Sequence, residues 1–218
     1  MLVTCLLMFS CSSTNKAYYD TLKLAFTQTD NTVSAEQIRQ SRADLLGVTH
    51  GERAQVIMAL AFIEDNAYKW VSADHAILTM HYGLITHTYG FENDSVYHQG
   101  QGTNPLADSV ISPVSWTYTT DIEHYGYGLD IETQWQRMGD ATINILDHDF
   151  AVYMVEESVT YPQVTPYIDI HRQWTNRFWF SKENGELLQS EQQVSPVGEP
   201  LKMVFLSRAQ RLIDEVAQ

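Results

Sequence analysis

Hydrophobic and polar residues alternate with a period of two along much of this chain. Val114, Trp116 and Tyr118 alternate with Ser115, Thr117 and Thr119. Leu129, Ile131 and Trp135 alternate with Asp130, Glu132, Gln134 and Gln136. That period belongs to strands with one wet and one buried face. Residues 55–62 are almost unbroken apolar, from Val56 through Ile57, Met58, Ala59, Leu60 and Ala61 to Phe62. A central strand covered on both faces fits such a run, although periodicity alone does not separate it from a buried helix. Further strands are predicted over 68–73, 76–81, 84–89, 141–146, 150–158, 168–180, 187–194 and 201–206. Asp65-Asn66, Asp74-His75 and Tyr82-Gly83 supply turns, and Asp147, His148 and Asp149 a further one. Asn184-Gly185 predicts a tight hairpin, because both residues tolerate positive φ. Residues 91–113 carry glycine and proline with few apolar positions and read as a long surface loop.

Helical spacing is confined to the ends. Tyr18, Leu22, Ala25 and Phe26 predict a helix over 15–26. Ser34 with Gln37 forms a capping-box pattern that starts a short helix through Arg42. Leu212, Ile213 and Val216 share one side of a helix over 207–216. About ten short strands with little helix predict a mainly β fold, an antiparallel meander curled into a sandwich or an open half-barrel.

Composition narrows the function. The 218 residues carry 27 acidic and 13 basic side chains, a net charge of −14. That field repels nucleic acid and anionic head groups. Hydrophobic residues make up 44% and charged residues 18%, a globular balance. Both cysteines, Cys5 and Cys11, lie at the apolar start. Residues 1–9 are mostly apolar, Ser10 precedes Cys11, and Ser12, Ser13, Thr14 and Asn15 follow. This is the order of a lipoprotein signal peptide: a membrane-entering run, a small residue, a thiol to acylate and a polar tether. Met8 and Phe9 depart from the usual residues before the cysteine, and no basic residue precedes Lys16. Residues 1–10 are therefore read as the remnant of a longer signal peptide, and 11–218 as one mainly β lipoprotein domain. Cys11 is the predicted lipid site. Ser12, in place of aspartate, resembles a signal for the outer membrane.

A resemblance emerges between Ala59 and Thr88. Phe62, Glu64, Asp65 and Tyr68 lead into Trp70, Val71, Ser72 and Asp74. His81, Tyr82, Gly83, Leu84 and Ile85 follow. This Trp-Val-Ser-x-Asp element and His-x-Gly-x-Ile strand resemble the YjbF/GfcB (YmcC-like) family of group 4 capsule polysaccharide lipoproteins. Phe178-Trp179-Phe180, Asn184-Gly185 and Ser190-Glu191-Gln192 are similar to that family too. The resemblance implies a lipid-anchored protein on the periplasmic side of the outer membrane. It implies a non-enzymatic accessory role in exopolysaccharide or capsule assembly or export, beside polysaccharide export proteins. It supplies no catalytic residue and no cofactor.

Other constellations favour structure over chemistry. Ser72, Asp74 and His75 are too close on an extended segment to converge as nucleophile and base, and no Gly-x-Ser-x-Gly elbow exists. His75, His81 and His87 recur every six residues, yet turns intervene and no metal-ligand motif is present. Glu156 and Glu157 point to opposite faces of a strand, and Asp130 and Glu132 share the solvated one, which disfavours a glycosidase pair. Trp70, Trp174 and Trp179 are candidate glycan or ligand contacts, since an aromatic face stacks on a sugar ring. Core filling is the alternative for each. A curled sheet also leaves open a second role, a binding module or carrier with a lipid or glycan in its groove.

Overall fold

The computed structural model describes residues 32–107, 113–161 and 173–216. Cys11, Ser12 and the helix expected over 15–26 lie outside the described residues. Helix α1 (Ala35–Gln40) precedes strands β1 (Leu45–His50), β2 (Val56–Glu64), β3 (Ala67–Val71), β4 (Ile77–His81) and β5 (Leu84–Tyr89). Then come β6 (Ser95–Gly100), β7 (Val114–Ile122), β8 (Gly126–Ile145) and β9 (His148–Thr160). Strands β10 (Gln173–Ser181), β11 (Leu187–Gln192), β12 (Leu201–Val204) and helix α2 (Leu206–Val216) complete the described chain.

All twelve strands form one antiparallel sheet, in the order β5-β4-β3-β2-β1-β12-β11-β10-β9-β8-β7-β6. Strands β1 to β5 step away from β1 to one edge, and β6 to β12 return from the other edge to pair with β1. Connectivity forces this sheet to curl. Flat, it would be roughly 50 Å wide at the usual strand spacing. The connection from β5 to β6, Gly90 to Asp94, reaches only about 20 Å. The two edges therefore meet, and the sheet becomes a nearly closed barrel rather than a sandwich. The expected curled meander is present, and it closes further than a half-barrel.

Alternation fills the inside. Leu46, Met58, Trp70, Leu78, Met80, Trp135, Phe178 and Met203 are buried in the barrel core. A second core lies on the outside, under the helices. There Leu45, Ile57, Ala59 and Leu188 meet Ile38 of α1 and Leu206, Ala209 and Leu212 of α2. This explains the unbroken apolar run of β2: Ile57 and Met58 serve different cores. Beyond a bulge at Leu60/Phe62 the cover ends, so Phe62 and Ile63 are exposed. Ser34 caps α1 as expected, accepting from the Gln37 amide at 3.3 Å while Gln37 Oε1 accepts from the Ser34 amide at 2.9 Å.

The turns at Asp65-Asn66 and Tyr82-Gly83 are two-residue loops with φ of 49° and 63°, and 55° and 96°. Three local readings change. Residues 91–113 contain β6, a polar edge strand that the loop-like composition concealed. The β8–β9 turn is Leu146-Asp147, with φ of 55° and 61°, so His148 and Asp149 are strand residues. In the β10–β11 hairpin only Gly185 takes a positive φ, 76°. The loop there runs from Lys182 to Gly185 between the paired Ser181 and Glu186.

Candidate functional site

The barrel is zipped by side chains, not by a backbone ladder, where β5 and β6 meet. Asp94 is 4% exposed and is the hub of this seam. Its carboxylate accepts from Thr88 Oγ1 at 2.8 Å and from the amides of Gly90 and Phe91 at 2.7 and 3.0 Å. Thr88 Oγ1 in turn accepts from the Ser95 amide at 2.8 Å. Away from this clasp the seam opens into a groove of about 630 Å³, within the usual range of small-molecule sites.

Strands β3 to β5 form one wall of the groove, with Lys69, Thr79, His81, Thr86 and His87. Strand β6 brings Val96, Tyr97 and His98 to the other wall, above Trp116 of β7. Gly100 is needed there, because a Cβ would lie 2.0 Å from the Trp116 ring. His98 packs on Tyr118 and Trp116, with ring centroids 4.3 and 5.8 Å away. Burial, reinforced by His81, pushes the His98 imidazole down to about 4, so it is neutral at pH 7. Its Nε2 and the Trp116 Nε1 have no partner. Lys69 pairs with Glu64 at 2.7 Å, and that hydrogen bond holds the Glu64 carboxyl below its ordinary range. Tyr82 and Tyr97 are 44% and 43% exposed at the rim. Aromatic faces beside hydroxyl, amide and imidazole groups suit a polar ring-bearing ligand.

Residues 19–206 match the family described as "Group 4 capsule polysaccharide lipoprotein gfcB, YjbF". The chain belongs to this family. It is 25% identical over 209 residues to "Uncharacterized lipoprotein GfcB" of Escherichia coli K12, covering 94% of this chain and 95% of that protein. It is 23% identical to "Uncharacterized lipoprotein YjbF" of the same organism, covering 97% and 98%. A crystal structure of the hypothetical lipoprotein YmcC from Escherichia coli K12 shares the fold, with a TM-score of 0.69 at 23% identity. That likeness covers 88% of this chain and 93% of the other.

The seam groove of this capsule-lipoprotein chain is not where the sequence placed the candidate contacts. Trp70 is 1% exposed and packs edge-on against Phe205, ring centroids 5.9 Å apart. Its faces belong to the core, which corrects its reading as a platform for a sugar ring. Trp174 and Trp179 are both half-buried on β10. Their odd spacing sends them to opposite faces: Trp174 packs against the barrel core, Trp179 against the helix-covered core. Trp174 Nε1 also donates to the Gln193 carbonyl at 2.9 Å. None of the three lines the groove, and they do not converge.

Ser72, Asp74 and His75 form a turn, as expected. Ser72 Oγ donates to Asp74 and accepts from the Ala76 amide at 3.0 Å, while His75 takes φ 68°. His81 and His87 share the groove but His75 does not, and the described residues hold no metal-ready cluster. Glu156 faces outward to Arg177 at 3.0 Å. Glu157 faces inward, fully buried between Trp135 and Asn176. Asn176 Nδ2 donates to Glu157 Oε2 at 2.8 Å, and Oε1 has no partner. Burial pushes this carboxyl up to about 8, with the Asn176 hydrogen bond opposing it, so it is protonated at neutral pH. Asp130 and Glu132 lie on the exposed face of β8. No pair of these carboxyls straddles a cleft.

Proposed function

We propose that this chain is a lipid-anchored accessory protein of surface-polysaccharide assembly or export, acting on the periplasmic side of the outer membrane without catalysis. Cys11 carries the acyl chains and Ser12 directs sorting. Polysaccharide export proteins are its partners, and it holds a segment of the polymer in the seam groove. The observation that carries the reading is that groove, with exposed Tyr82 and Tyr97 at its rim. Family membership supplies the polymer class.

The carrier role is favoured in its glycan form over its acyl form. Trp70, Trp135 and Phe178 fill the barrel interior, where an acyl chain would have to lie. The seam groove sets Lys69, Thr79, His81, Thr86 and His87 among the aromatic rings of Tyr82, Tyr97 and Trp116, a mixture that suits a glycan.

The test is surface polysaccharide in a strain lacking the protein, complemented with the wild type, with Cys11→Ala, or with a Tyr97→Ala/His87→Ala double variant. Only the wild type should restore polysaccharide fully. Restoration by Cys11→Ala would overturn the anchoring, and restoration by the double variant would overturn the groove.

A further inference from the structure

A second, smaller pocket opens at the mouth of the barrel, on the other side of Tyr82 from the seam groove. Its volume is about 200 Å³, and Tyr68, Trp70, Phe180, Phe205 and Arg208 line it. Arg208 stands out by what it lacks. Arg39, Arg177 and Arg211 each meet a carboxylate at 2.7–3.0 Å. Among the described residues, no carboxylate lies within ion-pair distance of Arg208.

Instead its Nη1 donates to the Leu187 carbonyl at 3.0 Å, and its guanidinium lies over the Phe205 ring at 4.2 Å. One donor is used, and a guanidinium has five. The residue sits in the first turn of α2, which carries no acidic side chain. The partial positive charge of the helix start therefore adds to the guanidinium rather than offsetting it. Burial lowers its pKa, opposed by Glu186, Tyr68 and Asp44, none of which forms a hydrogen bond or ion pair with the guanidinium. Trp70 brings a second unmet donor, since its buried Nε1 has no partner. A half-buried cation and an orphan indole N–H beside aromatic walls are complementary to one compact oxyanion.

We propose that the mouth pocket binds a single oxyanion group, a carboxylate or phosphate borne on a small polar ligand such as an acidic sugar. Arg208 pairs with the two oxygens through its free donors, and the Trp70 N–H completes the site. This site stands apart from the seam groove and does not depend on the export reading. It would allow a chain of net charge −14 to hold an anionic group that its overall field repels.

The experiment is calorimetric titration of the full chain with D-glucuronate, inorganic phosphate and, as neutral control, D-glucose. At least one anion should bind and glucose should not. Binding by glucuronate alone identifies a sugar carboxylate, and binding by phosphate alone a phosphate substituent. Arg208→Gln and Trp70→Phe should each weaken the binding at least tenfold. Tyr97→Ala, which alters only the seam groove, should leave it unchanged. Should Arg208→Gln fail to fold, Trp70→Phe decides, since it keeps an aromatic ring and removes the N–H. No heat with either anion, or full affinity in Trp70→Phe, would overturn the proposal.

Discussion

The two ways in which this barrel is held shut make an instructive contrast. Where the first and last strands meet, β1 and β12 share a backbone ladder, and α1 and α2 cover the outside. Arg39 grips Asp214 and Arg211 grips Asp44, both at 2.7 Å, across the helices and the segment entering β1. Where β5 meets β6 there is no ladder in the sheet order, and one buried carboxylate gathers the loose donors. The first junction is redundant: many apolar and backbone interactions share the load. The second is concentrated in Asp94 and its partner Thr88. With a groove along its seam the barrel does not ladder the whole seam, and the closure is condensed at one end.

This contrast is broken most directly at Asp94. Asp94→Ala strands the buried Thr88 hydroxyl and the half-buried Gly90 and Phe91 amides, and should cost about 2–4 kcal/mol. Urea unfolding measures the loss, and hydrogen exchange should quicken first at Gly90 and Ser95. A loss spread evenly over β1 and β12 would show that the seam is not a separate unit.

A smaller effect is expected inside the laddered wall, at Glu157. The native state holds this carboxyl protonated up to about pH 8, whereas the unfolded chain releases the proton near 4.5. Between those values unfolding releases a proton, so rising pH favours the unfolded state. Stability should be greatest below about pH 4.5 on this account, decline towards pH 8 and then level off. Glu157→Gln should flatten the decline and raise stability at pH 8 by about 1–3 kcal/mol. Chemical denaturation at a series of pH values reads both. The helix-side ion pairs are half-exposed and should matter least: Arg211→Ala should cost about 0.5 kcal/mol, and less in high salt.

The laddered wall was also the part of the fold legible in the sequence. Alternation around Trp116 and Trp135, the paired positive-φ turns and the Ser34–Gln37 cap all rest on local chemistry that a short window contains. The seam was not legible, for a physical reason. Edge strand β6 has few apolar residues, because Val96 and Tyr97 face outward and His98 fills the interior position. Its partners in the groove, Lys69 and His81, come from strands that only barrel closure brings near. The tryptophans misled for a related reason: abundance drew attention, while spacing along β10 sent Trp174 and Trp179 apart. Arg208 was read only as part of a helix, since the missing carboxylate is a fact about space and not about sequence.

Direct binding tests best whether the seam groove holds a segment of surface polysaccharide. The full chain would be titrated with polysaccharide purified from a producing strain, wild type beside the Tyr97→Ala/His87→Ala variant. Saturable binding by the wild type, weakened at least tenfold in the variant at unchanged thermal stability, is the predicted result. Equal binding by both proteins, or none by the wild type, would contradict the claim.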